Sequence, residues 1–396
     1  MAIRMSRATA AACALLAVAS SATIAAQEPS KQEAPIQRIT RQSLEQIVQR
    51  IDAKFTAGRR LPATDARSAL AATNLSFDRA TQRFFALNLV GAMAELEALD
   101  RELGALDIVK PAEPIVSAVS AKGKMHGAEL RSASLAAIAE LENAPLHALR
   151  AVRSRLELSW EDPSPERSAE FLIDVPSYEA ALAEEVAALR QGKDPFLDRR
   201  GDHWRTFMHG RRDLVARVYC PSSAPSKKVP LVIALHGAGG DENFMFELGG
   251  DGHVKELADR HGCLVVAPFT LDFTFSAKPL ESLLAGIERS YDIDRSRVYV
   301  VGHSMGAMAT SKLAAKARGS ITAACCIAGY QATDSGDLPI LVIAGTLDSI
   351  VSFNRVKKAA QAAATAGRPV RFMPLEDQGH TLVLAAALDL AFAAWF

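Results

Sequence analysis

Gly302-His303-Ser304-Met305-Gly306 is where residue type and spacing most directly imply chemistry in this 396-residue sequence. A serine hydroxyl attacks a carbonyl only when it is exposed, held against a base, and faced by donors for the charge that forms. Gly302 and Gly306, two residues before and two after Ser304, let a strand and a helix meet at a tight turn without Cβ clashes. The apolar run Arg297–Val301 precedes the motif, and a helical pattern over Met305–Ala317 follows it. That strand–turn–helix context separates an activated serine from a glycine-flanked serine at an ordinary turn.

An activated serine needs a base, and the base needs a carboxylate to orient it. His380 is the only histidine after Ser304. It lies in the loop between the strand pattern Val370–Leu375 and the last helix. Asp348 lies just past the apolar run Ile340–Ala344. The chain order is then Ser304, Asp348, His380, with about one strand–helix crossover in each interval. Asp334, Asp337 and Asp377 are weaker rivals for the acid: the first two precede the strand, and Asp377 shares the loop of His380. The plainer alternatives are a turn cap for Asp348 and a solvated loop residue for His380.

Leu235-His236-Gly237-Ala238-Gly239-Gly240 follows another buried-strand pattern upstream. Such a loop presents backbone N–H groups to a developing oxyanion. The expected donors are the amides of Ala238 and Met305, with Gly237 permitting the turn. The loop lacks the G-K-[S/T] ending of a phosphate-binding loop, and no G-x-G-x-x-G occurs there. His236 and His303 are expected to support neighbouring loops. Asp251, His253 and His261 have no metal-ligand spacing, and no metal or organic cofactor is expected.

The elements that must hold these residues are short apolar runs alternating with helical patterns. Asp213–Tyr219, Val229–Leu235, Cys263–Ala267, Arg297–Val301, Ile321–Ala328, Ile340–Ala344 and Val370–Leu375 read as strands. Continuous apolar runs indicate strands buried on both faces, as in a parallel sheet. Between and after them, Val254–His261, Leu280–Tyr291, Met305–Ala317, Val356–Ala366 and Thr381–Phe396 read as helices. This is an α/β unit, in which functional residues gather at the carboxyl ends of the strands.

The first half has a different grammar. After a polar linker at Glu28–Arg38 it reads as all-helical to about Gly192. Leu44, Ile47, Val48, Ile51 and Phe55 share helical spacing, with Thr40 or Ser43 as caps. Ser76–Leu106 and Ala128–Leu158 form two longer patterns, ended or split by Pro111, Pro114 and Pro145. Tyr178–Gln191 is a last short helix. The division is residues 27–200 as a helical domain and residues 201–396 as the α/β domain. The helical domain either covers the site as a lid or stands as an accessory module. Residues 1–26 have a basic start (Arg4, Arg7), an apolar run at Ala8–Ala19 and small residues near Ala26, the layout of a signal peptide. An exported, periplasmic or extracellular location is expected.

With 45 basic and 45 acidic residues, charge gives no case for nucleic acid as the main partner. No stable membrane span is expected after the leader is removed. The five cysteines are too few for a disulfide-built scaffold. Cys13 leaves with the leader, while Cys220, Cys263, Cys325 and Cys326 are expected as buried thiols or a bridge.

Residues 229–396 resemble the α/β-hydrolase superfamily, and more narrowly the secreted bacterial esterases of the polyhydroxybutyrate-depolymerase, feruloyl-esterase and phospholipase/carboxylesterase type. The resemblance rests on LHGAGGDENF (Leu235–Phe244), YDIDRSRVYVVGHSMGA (Tyr291–Ala307), IAGTLDSIV (Ile343–Val351) and DQGH (Asp377–His380). It implies an α/β-hydrolase fold, a Ser304–His380–Asp348 triad, an oxyanion hole from Ala238 and Met305, and small or oligomeric esters as substrates. The short loop before the last helix, with no Trp near His380, departs from depolymerases. A prolyl-oligopeptidase-like peptidase and a non-catalytic protein on a hydrolase scaffold are the alternatives.

Overall fold

The computed structural model describes residues 41–58, 66–105, 141, 145–158 and 175–396. The expected leader, the linker, Thr40, Pro111, Pro114 and most of the Ala128–Leu158 pattern lie outside them.

Eight strands form one sheet: β1 (Gly201–His209), β2 (Arg212–Cys220), β3 (Val229–Leu235), β4 (Leu264–Pro268), β5 (Ile293–His303), β6 (Ala323–Ile327), β7 (Ile340–Gly345) and β8 (Val370–Leu375). Their order is β1-β2-β4-β3-β5-β6-β7-β8. β1 and β2 form an antiparallel hairpin, and β2 joins β4 antiparallel. From β4 to β8 every pairing is parallel.

All of β3 is buried, as its unbroken apolar sequence requires. The two-residue period sends Leu231, Ile233 and Leu235 into one core and Val232 and Ala234 into the other. The first core is closed by α9 (Lys278–Glu288), α10 (Met305–Lys316) and α11 (Phe353–Thr365), the second by α7 (His253–His261) and α12 (Leu384–Trp395). Two one-turn helices, α6 (Phe244–Glu247) and α8 (Leu271–Thr274), lie in connections that the sequence pattern left as loops.

Ahead of the sheet come α1 (Arg41–Gly58), α2 (Ala66–Phe85), α3 (Leu89–Ala105), α4 (Leu146–Leu158) and α5 (Val175–Arg190). The single helix expected over Ser76–Leu106 is two helices. The chain turns at Leu87, whose φ of 60° is left-handed, and Asn88 restarts it by accepting the Gly91 N–H at 2.8 Å. That is an asparagine cap inside an apolar stripe, so periodicity alone runs straight through it. The helices pack in two groups. Ile47, Ile51, Phe55, Phe77 and Leu99 of α1–α3 share a core with Leu382, just before α12. Ala148 and Val152 of α4 and Leu182 and Leu189 of α5 pack instead with Phe196 and Trp204, and α4 lies against β1. β1 itself was not anticipated, because its sequence, GDHWRTFMH, has no apolar run.

Candidate active site

β5 runs two residues further than its apolar run, to His303, and α10 begins at Met305. Ser304 is the whole turn between them, at φ 54° and ψ −111°. That backbone is costly for a residue with a side chain and marks stored strain. A Cβ on Gly302 would collide with the Gly306 carbonyl, and one on Gly306 with the Leu235 carbonyl. Both glycines are therefore required by close backbone packing. Ser304 N–H donates to Ile327 O at 2.8 Å, anchoring the turn to β6.

β7 ends beside β5's neighbour β6, and β8 lies next to β7. The loops after β7 and β8 therefore open on the same edge as Ser304. There Ser304 Oγ donates to His380 Nε2 at 2.9 Å, and His380 Nδ1 donates to Asp348 Oδ2 at 2.9 Å. The other Asp348 oxygen accepts the N–H groups of Ile350 (3.0 Å) and Val351 (2.8 Å). The carboxylate is thus held by its own turn with one oxygen left for the imidazole. The Asp348 side chain is fully buried and that of His380 nearly so. Asp377 stands at the loop entry with φ 59° and Asp334 pairs with Arg368; neither is bonded to His380.

The loop after β3 lies against the serine. A Cβ on Gly237 would sit 2.8 Å from His303 Nδ1 and 3.2 Å from Ser304 Cβ, so the loop approaches only because that side chain is absent. His236 braces it: Nδ1 donates to Gly237 O at 2.8 Å and Nε2 accepts the Thr270 N–H at 2.9 Å. That pattern fixes a neutral tautomer. His303 donates from Nε2 to the His380 carbonyl at 2.9 Å. Complete burial pushes its pKa down to about 3, the neighbouring His380 and His236 imidazoles push the same way, and the bond to the His380 carbonyl opposes them, so it stays neutral. Both histidines thus bond backbone groups of the neighbouring loops. Met305 is the first residue of α10, so its N–H precedes the intrahelical ladder.

Ser304, His380, His303 and the Gly237–Gly240 loop with Ala238 form the floor of a cavity of about 110 Å³. Its roof comes from the helical half: Val48 of α1, Phe77, Phe84 and Phe85 of α2, and Ala92 and Leu96 of α3. The sequence left a lid and an accessory module as alternatives for this half, and its apolar stripes did not say which residues face the site.

Polar side chains of the same helices reach the loops. Asp52 Oδ2 accepts the N–H groups of Gly250 (2.7 Å) and Asp251 (2.9 Å). Asn74 Oδ1 accepts Gly379 N–H at 2.7 Å, and its Nδ2 donates to Asp377 O at 3.0 Å. Asp78 accepts the N–H groups of His380 (3.0 Å) and Ser349 (3.1 Å). Burial pushes the Asp78 carboxyl up, and the bonds from Ser349 and His380 pull it part of the way back. Asn74 and Asp78 are four apart beside Phe77 and Phe84, polar residues on a buried stripe, and that was the one available signal.

Among the described residues no cluster of three or more His, Cys, Asp or Glu side chains could hold a metal, and no helix is long and apolar enough to cross a membrane. Cys220, Cys263, Cys325 and Cys326 are free buried thiols.

A family model described as the alpha/beta hydrolase family matches residues 277–380. A bifunctional acetylxylan esterase/xylanase from Neocallimastix patriciarum is 28% identical over 153 residues, 35% of this chain and 22% of that protein. The chain thus spans about a fifth of that relative's length. Among solved structures, a thermostable esterase aligns with 24% identity and a TM-score of 0.42, over 49% of this chain and 62% of its own. A ferulic acid esterase from Anaeromyces mucronatus aligns with 16% identity and a TM-score of 0.41, over 49% and 88%. The sheet-bearing part of the chain, with its mostly parallel eight-stranded sheet and flanking helices, has the α/β-hydrolase fold, and residues 277–380 within it match that family's model.

Proposed function

We propose that this α/β-hydrolase domain is a serine carboxylic-ester hydrolase working through Ser304, His380 and Asp348. The continuous hydrogen-bond chain from Ser304 Oγ through His380 to Asp348, at the floor of an apolar cavity, carries that reading. His380 Nε2 takes the Ser304 proton as Oγ attacks the ester carbonyl, and Asp348 stabilises the imidazolium that forms. The amides of Met305 and Ala238 hold the oxyanion, each contributing on the order of 3 kcal/mol by analogy with side-chain donors. His380 then protonates the departing alcohol, leaving an acyl-serine. Water, deprotonated by the same imidazole, cleaves it and restores the serine. No step calls on a cofactor. The relative's acetylxylan esterase name fits the same chemistry, cleavage of a carboxylic ester.

The α1–α3 group is a cap in this reading. It roofs the cavity with aromatic and aliphatic side chains, which suits an apolar acyl group beneath it. Export, read from residues 1–26, fits an enzyme acting on external esters.

Ser304→Ala decides the central claim. Hydrolysis of a short-chain p-nitrophenyl ester and labelling by a fluorophosphonate should both vanish, with circular dichroism unchanged. Turnover retained by the folded variant rejects the assignment.

A further inference from the structure

The cap also touches the two loops that carry the acid and the base, and it does so through polar side chains on one helix. Asp78 of α2 is 1% exposed. Both of its oxygens accept the backbone N–H of His380, at 3.0 and 3.2 Å, and one of them also accepts the N–H and hydroxyl of Ser349, the residue after Asp348. One turn earlier, Asn74 accepts from Gly379 and donates to Asp377, on either side of Gln378. Gly379 has no side chain where these two arrive. A Cβ there would lie 3.0 Å from Asn74 Oδ1 and 3.1 Å from Asp78 Oδ1. The loops share few ties of their own, among them Leu347 N–H to Gln378 O at 2.9 Å and Asp377 N–H to Thr346 Oγ1 at 3.1 Å.

We propose that Asp78 and Asn74 are positioning residues for the Asp348–His380 pair, so that α2 clamps the acid loop to the base loop. This rests on the hydrolase reading above. A buried carboxylate shared by backbone donors from two loops fixes their separation. The Asp348–His380 bond crosses the gap so fixed. Loss of the clamp lets the base loop drift while the substrate cavity keeps its apolar walls. Misplacement of a catalytic group is felt in the chemical step more than in binding.

The test uses the full chain, with wild type, Asp78→Asn, Asp78→Ala and Asn74→Ala compared in parallel. Active sites are counted by fluorophosphonate titration, and kcat and KM are measured on p-nitrophenyl acetate per titrated site. Asp78→Asn is expected to lower kcat about 10–100-fold at nearly constant KM and melting temperature. The downfield Nδ1–H proton resonance of His380 is expected to shift or broaden in the same variant. Asn74→Ala, which leaves Asp78 in place, should show a smaller loss in the same direction, and it carries the test if Asp78→Ala fails to fold. Unchanged kcat per titrated site in the Asp78→Asn and Asn74→Ala proteins overturns the proposal, as does a loss confined to site number or stability. Wild-type protein that neither hydrolyses nor labels overturns the hydrolase reading itself, a result distinguishable from either.

Discussion

Three side chains from three loops meet at Ser304, and each is held by something other than its partners. Ser304 is held by a strained turn, Asp348 by the N–H groups of Ile350 and Val351, and His380 by the backbone bond from His303. Removing the charge on Asp348 therefore tests its electrostatic role without releasing its loop. Asp348→Asn keeps an acceptor for that turn but presents the wrong partner to His380 Nδ1. In the serine-protease case that exchange lowers kcat by about 10⁴ through the wrong imidazole tautomer. A loss of similar size is expected here, measured as kcat on p-nitrophenyl acetate with an unchanged melting temperature. A loss below about tenfold would show that Asp348 does not orient the base.

At the scale of elements, β5 and α10 make the turn, and α1, α2 and α3 make the roof. The β5–α10 turn was legible in the sequence because glycine spacing, an apolar run and a helical pattern all coincide at Ser304. The roof was not, because an apolar stripe reads the same whether it faces a helix or a substrate. β1 was not legible for the opposite reason. It is buried partly through charge: Arg205 lies over the rings of Phe196 and Phe207, while Arg217 of β2 lies over Trp204 and Phe246 and pairs with Asp202 and Glu247. The paired, stacked guanidiniums allow a polar sequence to fill a core position. The roof carries its own prediction. Phe84 hangs over the loop at Gly239, where a Cβ would lie 3.3 Å from its ring. Phe84→Ala should open the cavity and shift the ratio of kcat/KM values toward longer acyl chains, by roughly 10-fold or more for a change of 1–3 kcal/mol. An unchanged profile across p-nitrophenyl acetate, butyrate and octanoate would remove α2 from the acyl pocket.

At the scale of the whole molecule, the α1–α3 group is tied to the sheet domain by Asp52, whose carboxylate binds the Gly250–Asp251 backbone. The next helix, α7, starts at His253, which bonds Asp389 of α12 at 2.7 Å and Glu256 at 3.0 Å. The bond to Asp389 raises the His253 pKa above its ordinary 6.5, burial opposes the rise, and Glu256 adds to it. The protonated imidazole is thus favoured more in the folded chain than in the unfolded one. Its stabilisation is complete below about pH 6.5 and fades as pH climbs through the raised folded value. The melting temperature of wild type should exceed that of His253→Gln by more at pH 5.5 than at pH 8.5. An equal difference at both values would show that this link does not titrate with folding.

The sequence by itself determined the strand–helix alternation and the order of Ser304, Asp348 and His380. Both are local or sequential facts: buried strands need unbroken apolar runs, and a tight turn needs Gly302 and Gly306. It also offered His236 and His303 as supports, since neither sits where a base would follow the acid. Only the tertiary structure decided what the helical half packs against. Asn74 and Asp78 lie about 300 residues before the loops they hold. No local pattern records a hydrogen bond made across that distance, and a helix reveals which face is buried without revealing what it is buried against.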